Sequence, residues 1–317
     1  MISIIIPCYN ASKHIKNCYT HLTQQKEQDW EAIFINDGST DNTLELLNEI
    51  LNKDHRIKIY TQNNKGAAKA REYGIKQANG EYITFLDVDD YFSRNALNLV
   101  YNIIKNTKAD IIVSSFNIVY DNKITTPRKI KFESISNIDY LKLIFTGKCG
   151  WELCSKVYKR ELFNTQIQIP QHIRVGEDAA VFIQLVSKAK YIVGLNKPLY
   201  NYVQNTQSAS HVKSLKYAEE TIEAGLFIEE ILRKESIYND IKEYISPMFL
   251  LFLSNSISKG YLGNKHKYIQ YIVKNHFNWL SFSQIPIIKL LYILSIYISN
   301  GYLFKFLFYL RNKISRY

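Results

Sequence analysis

The sequence predicts an α/β fold, a mainly parallel central sheet with helices on both faces, followed by a helical C-terminal region. Three observations predict it. Short β-rich runs alternate with helical periodicity through the first third; a polar cluster follows each of the first four runs; and from about residue 213 onward only helical patterning remains. With 317 residues, 46% of them hydrophobic, the chain can bury one large core or two ordinary ones, which excludes a disordered protein.

Taken in order, strands are expected at 3–7, 32–36, 58–61, 82–86 and 110–114, each a short apolar run bounded by polar or turn residues. Helices fit between them. Ser12 is read as the cap of one running to about Gln25. Asp41 is read as the cap of a second, with Leu44, Leu47, Ile50 and Leu51 at core spacing, and residues 66–78 supply the third crossover. Ser93 is read as the cap of the next helix, which carries Leu97, Val100, Ile103 and Ile104. Right-handed crossovers make such strands parallel, and a ligand then sits beyond their carboxyl ends. The clusters PCYN, NDGSTD, QNNKG and DVDD fall at those ends and should line one rim. Beyond residue 115, runs 116–120 and 123–132 flank Asp121 and Asn122 as a hairpin, 138–145 is helical, and strands are expected near 191–193 and 199–203.

Charge is uneven along the chain. The net charge is +11, yet the first 243 residues carry 31 basic and 29 acidic side chains, a balance of +2, and residues 244–317 hold nine Lys or Arg and no acid. Cys8, Cys18, Cys149 and Cys154 form no CxxC pair and no Cys/His metal spacing, which fits reduced thiols and argues against zinc or redox chemistry. The opening MISIIIPCYN has neither a basic n-region nor a small-residue cleavage site, so a cytoplasmic location is expected.

Three motifs on the rim carry chemistry, and a fourth lies further on. In YITFLDVDDYF, Asp87, Asp89 and Asp90 crowd four positions where a strand ends. Hard oxygen ligands suit Mg²⁺ or Mn²⁺ with substrate phosphates; the alternative is a set of turn and capping acids. In NDGSTDNT, Asp37 is placed to accept from a base edge or a ribose, or simply belongs to a strand–turn–helix junction. In NNKGAAKAREYG, Gly66 opens a helix whose N–H groups favour an anion, with Lys65 and Arg71 adding charge, although Arg71 can equally be a solvated helix residue paired with an acid. In VGEDAAVF, Glu177 and Asp178 at a helix start are favoured by the helix dipole, and a carboxylate there also suits a general base.

SIIIPCYN, NDGSTDNT, NKGAAKAREYG, GEYITFLDVDD, WELCSKVYKRELF and GEDAAVF, in that order, resemble family 2 glycosyltransferases of the GT-A fold, notably bacterial enzymes that build surface polysaccharide, lipooligosaccharide or capsule. The resemblance spans residues 1–210. It implies a Rossmann-like nucleotide-sugar-binding domain at 1–212, with a nucleotide-binding half at 1–115 and an acceptor-binding half at 116–212, ahead of a basic helical region at 213–317. It also implies a UDP-linked donor, Mn²⁺ or Mg²⁺, and inversion at the anomeric carbon. Residue by residue, it places Pro7, Tyr9, Asn10, Asp37, Arg71, Asp87 and Val88 at the nucleotide sugar and Asp89 on the metal. His211 is the nearest candidate for a second metal ligand, or a packing residue. Asp178 matches the general base, with Glu177 the second choice. Trp151 and Lys156 match an element facing the acceptor, though Trp151 could be core, and Asp90 carries no role. Glu72 stands where relatives have Asn, and the absence of QxxRW points to transfer of single sugars.

The stretch 284–317 is too interrupted by Lys289, Asn300, Gly301 and Lys305 for a spanning helix. Apolar and aromatic residues edged by Lys and Arg suit an anionic inner-membrane surface; a packing or dimerising helical subdomain is the alternative. No nucleic-acid recognition module is present. The expectation is a metal-dependent inverting transferase on the cytoplasmic face of the inner membrane, acting on a lipid-linked or lipooligosaccharide acceptor. A catalytically inactive membrane-bound nucleotide-sugar binder or assembly partner is one alternative. A haloacid dehalogenase-like phosphatase is another, disfavoured because LDVDD falls on the fourth strand and continues Asp90-Tyr91.

Overall fold

The computed structural model describes residues 1–294 except 121–122, 127–128, 171, 205–212, 261, 264, 288 and 292. His211, Asp121 and Asn122 therefore lie outside the described residues. In chain order the elements are β1 (Ile2–Cys8), α1 (Ser12–Thr23), β2 (Trp30–Asp37), α2 (Thr43–Leu51), β3 (Ile57–Gln62), α3 (Ala67–Gln77), β4 (Tyr82–Phe85), β5 (Tyr91–Phe92), α4 (Ala96–Thr107), β6 (Ile111–Tyr120), β7 (Lys123–Thr125) and β8 (Ser134–Ile135). They continue with α5 (Asn137–Phe145), β9 (Lys156–Lys159), α6 (Glu177–Lys188), β10 (Ile192–Val203), α7 (Leu215–Leu232), α8 (Tyr238–Ile241), α9 (Ile245–Lys259), α10 (Lys267–His276) and α11 (Trp279–Gln284). The chain packs as two units, one of Met1–Asn137, Glu152–Gln168 and Lys188–Thr206, the other of Ile138–Trp151, Ile169–Ser187 and Gln207–Tyr317.

The first unit is built on one sheet in the order β3-β2-β1-β4-β9-β6-β10-β5, with β7 on β6 and β8 on β10. β1 pairs in parallel with β2 and β4, and β2 with β3, as the alternating pattern predicts. β1 is apolar on both faces because both are covered: Ile2, Ile4 and Ile6 join one core cluster, while Ile5 meets α3 on the other side. There α3 approaches so closely that a Cβ on Gly74 would lie 2.5 Å from Ile5 Cγ2. Three expectations need correction. Ser12 and Ser93 do not cap: the Ser12 N–H is instead taken by the Asp41 carboxylate at 3.1 Å, and the Ser93 hydroxyl donates to the Pro198 carbonyl at 2.8 Å. Leu44 and Leu51 are exposed, since of the four only Leu47 and Ile50 fall on the inward face of α2. The strands near 191–193 and 199–203 are one strand, β10, parallel to β6 and irregular between Leu195 and Tyr200. β9 enters antiparallel between β4 and β6, and the hairpin of β6 and β7 forms as expected but with β7 only three residues long.

The second unit is helical. α6 is buried along most of its length, and Tyr140 of α5 meets Phe182 edge-on at 6.1 Å. α7 and α9 meet at Gly225, where a Cβ would touch the rings of Phe249 and Phe252 at 3.3 Å. His276 stacks on Phe249 at 4.2 Å and shares a 2.9 Å hydrogen bond with the Ser246 hydroxyl; burial, then Arg233, lower its pKa to about 4. Among the described residues no helix is long and apolar enough to cross a membrane.

Candidate active site

Because β1 to β4 run parallel, the chain leaves all four at one edge of the sheet, and side-chain hydrogen bonds tie the emerging loops to one another. Asn10, in the left-handed region at φ 48°, accepts the Thr40 N–H on its side-chain oxygen at 2.8 Å, while its own N–H goes to the Ser39 hydroxyl at 3.0 Å. Pro7 is half-buried and Tyr9 is 54% exposed, leaving the Tyr9 ring open at this edge. Asp41 accepts from the Thr43 N–H and hydroxyl as well as from Ser12, so one carboxylate serves the starts of α1 and α2. Partial desolvation works against its ionisation, but the hydrogen bonds from Thr43 and Ser12 prevail and bring its pKa to about 2.

Asp37 is buried, and both its oxygens are engaged. Oδ1 accepts from the Gln62 amide at 2.7 Å and the Lys65 N–H at 2.8 Å, and Oδ2 accepts from the Gly66 N–H at 2.8 Å. The carboxylate thus shapes the turn that starts α3. Gly38 beside it has φ 68°, and a Cβ there would come within 2.7 Å of the Asn64 nitrogen, so the β2 and β3 loops close only around glycine.

At the end of β4, Arg71 donates to Asp87 at 2.9 Å, reaching across from α3. Arg71 is thus paired with an acid, as the structural alternative for it expects, and its side chain is only 11% exposed. Asp87, Val88 and Asp89 are half-buried, and Val88 packs against the core of the unit. Asp90 is buried; desolvation, then the neighbouring Asp87, raise its pKa to about 8, although Tyr200 and Val203 hydrogen-bond to it. This crowding of carboxylates fits a hard cation. Among the described residues no group of three His, Cys, Asp or Glu side chains is arranged to hold an ion; the half-buried Asp87 and Asp89 are the oxygen donors this turn offers one. Glu72, the departure in the third motif, pairs with Lys69 at 2.8 Å and Lys76 at 3.0 Å on its own helix.

Lys156 of β9 belongs to the same unit. Its side chain is buried, and its ammonium donates to the Glu152 and Cys154 carbonyls with the Glu152 carboxylate 3.5 Å away, so it braces the turn ahead of β9. In the other unit, Trp151 is half-buried and stacked on Phe252 at 4.6 Å. Glu177 and Asp178 form the half-buried first turn of α6. The approach to that turn is held by α7: Glu220 takes the Arg174 N–H at 2.9 Å, and Gly176, at φ 100°, lies so near Ala224 that a Cβ would be 2.7 Å from the Ala224 Cβ.

Sequence reasoning missed two features of the rim. Tyr200 of β10 donates to Asp90, and the main-chain N–H groups of Lys65 and Gly66, with the Gln62 amide, are the partners of Asp37. Tyr200 reads in sequence as one more buried aromatic of a strand.

The model of Glycosyl transferase family 2 matches residues 3–166, a little over half of the chain and the segment that holds Asp37, Arg71, Asp87 and Asp89. Glycosyltransferase GlyG of Streptococcus pneumoniae is 30% identical over 242 residues, covering 70% of this chain and 77% of that protein. The S. aureus TarS 1-349 complex with UDP-GlcNAc has a similar fold, with a TM-score of 0.68 at 20% identity over 93% of this chain and 84% of that one. A Pyrobaculum calidifontis mannosyltransferase in complex with GDP-Man and Mn²⁺ gives 0.57 at 12% identity, over 81% and 73%.

Replacing Asp37 by Asn turns one acceptor oxygen into a donor facing main-chain N–H groups. The expected cost is about 1–3 kcal/mol of stability, read by chemical denaturation; an unchanged midpoint would remove Asp37 as the staple of this turn.

Proposed function

This chain belongs to glycosyl transferase family 2 and transfers sugar from a nucleotide sugar, and we propose that it is a metal-dependent inverting enzyme adding one sugar at a time to a lipid-linked or lipooligosaccharide-type glycan. The observation that carries the proposal is the acidic run at the end of β4, with Arg71 paired to Asp87 and Asp89 beside it. The TarS structure is a complex with UDP-GlcNAc and that of the mannosyltransferase a complex with GDP-Man and Mn²⁺, which supports a nucleotide-sugar donor, UDP-linked by the resemblance, and a divalent cation.

In this reading Pro7, Tyr9 and Asn10 flank the nucleobase. Asp37 acts on the nucleotide through the turn it holds, and Arg71 sets Asp87 toward the ribose, with Val88 beside it. Asp89 would hold the cation, and His211 stands as a proposed second ligand. When bound, the cation supplies positive charge to the departing diphosphate. Asp178 accepts the proton of the acceptor hydroxyl as the oxygen bonds to the anomeric carbon and the bond to the diphosphate breaks on the opposite face; Glu177 is the alternative base. Trp151 serves the acceptor side, and Lys156 does so by bracing its turn. Residues 1–212 form the catalytic region. Residues 213–317 hold the enzyme on the cytoplasmic face of the inner membrane, supported by nine basic and no acidic residues after Glu243.

Asp89→Ala should abolish any Mn²⁺-dependent gain in UDP affinity measured by calorimetry, and an unaltered gain would remove Asp89 as the ligand. Asp178→Asn should keep donor binding and lose transfer by about 10²-fold or more; near-normal turnover would move the base to Glu177. Replacing Lys305, Arg311, Lys313 and Arg316 by Glu should release the protein from vesicles containing anionic lipid in a flotation assay. Undiminished flotation would leave the tail to packing or self-association.

A further inference from the structure

Asp90 has no part in the reaction described above, yet it is only 2% exposed and two hydrogen bonds reach it from β10. The Tyr200 hydroxyl donates to its Oδ2 at 2.6 Å and the Val203 N–H to its Oδ1 at 2.7 Å. The same Tyr200 oxygen accepts the Asp87 N–H at 3.1 Å. A phenol has one proton to give, so donation to Asp90 and acceptance from Asp87 use it consistently. The Asp90 N–H donates to the Asp87 carbonyl at 3.0 Å, which closes the turn from within. Val88 and Asp89 are therefore carried on a turn pinned at both ends, from inside by its own backbone and from outside by one hydroxyl.

The support for that hydroxyl is itself rigid. Tyr200 is fully buried, pairs across the sheet with Phe92, and meets the Phe92 ring edge-on at 6.0 Å. Holding a ligand-bearing turn in one geometry before binding lowers the ordering cost at the moment of binding.

We propose that Tyr200, acting with Asp90, is a positioning residue that presets the Asp87–Asp90 turn for a cation and a nucleoside diphosphate. The inference rests on the reading of Asp87 and Asp89 as donor and metal residues. It assigns Asp90 to the shape of the turn rather than to the ion.

Calorimetric titration of the intact chain with UDP, in the presence and absence of Mn²⁺, tests it. In the wild type Mn²⁺ should tighten UDP binding; affinity indifferent to Mn²⁺ would bring down the metal reading, and this inference with it, before any variant is made. In Tyr200→Phe, Arg71 still holds Asp87 toward the ribose, so metal-free UDP affinity should stay within about twofold of wild type, while the Mn²⁺-dependent gain falls about tenfold, because the turn that carries Asp89 loses the hydroxyl joining the Asp87 N–H to the Asp90 carboxylate. Asp90→Asn, which presents a donor where Tyr200 needs an acceptor, should show the same selective loss and decides the matter if Tyr200→Phe does not fold. Equal loss with and without metal, no loss in either variant, or failure of both to fold would overturn the assignment.

Discussion

Parallel pairing of β1 with both β2 and β4 is the constraint on which the rest of the first unit depends. It makes Pro7 a neighbour of Ile35 and Cys8 a neighbour of Asn36, so the residues that follow each strand emerge side by side. Four loops leaving one edge bring many unpaired N–H groups together, and a buried N–H without a partner is costly. The chain meets that demand with short polar side chains from the neighbouring loop: Asn10 for Thr40, Asp41 for Ser12, Asp37 for Lys65 and Gly66. The edge is consequently polar and preformed.

Much of this was legible beforehand. The first four strands are short apolar runs between turn residues, and their length and flanks identify them. β9 was not, because KVYK is four residues long with charged ends, and only the gap between β4 and β6 makes it a strand. The caps were misread for a related reason. Ser12 and Ser93 stand near helix starts, where a hydroxyl normally caps, but Asp41 from another loop and Pro198 from β10 are the partners they meet. Asp37 was identified as important while its partners were not, since three donors from residues 62–66 converge on it only after β2 and β3 are paired.

The two acidic spots differ in how they are supported. The Asp87–Asp90 turn is held by side chains, Arg71 on one flank and Tyr200 on the other. The Glu177–Asp178 turn is approached through a glycine that only a small neighbour permits, as well as through one side-chain bond, from the Arg174 N–H to the buried Glu220. A side-chain bond can be removed without touching the backbone, whereas any Cβ added at Gly176 meets Ala224. Variation in sequence should accordingly be tolerated differently at the two turns.

The antiparallel insertion of β9 has a consequence for biosynthesis. Residues 82–84 of β4 pair with residues 157–159, and β6 reaches its parallel neighbour, β10, only at residues 192–203. A ribosome delivering the chain from its N-terminus can complete β1 through β4 early, but the edge of β4 stays open until some seventy more residues have appeared. Contacts of such long sequence separation form slowly. During that interval an apolar strand edge is exposed on the nascent chain, and the turn that carries the acidic run lacks Tyr200, so the nucleotide edge matures only when the last strand docks.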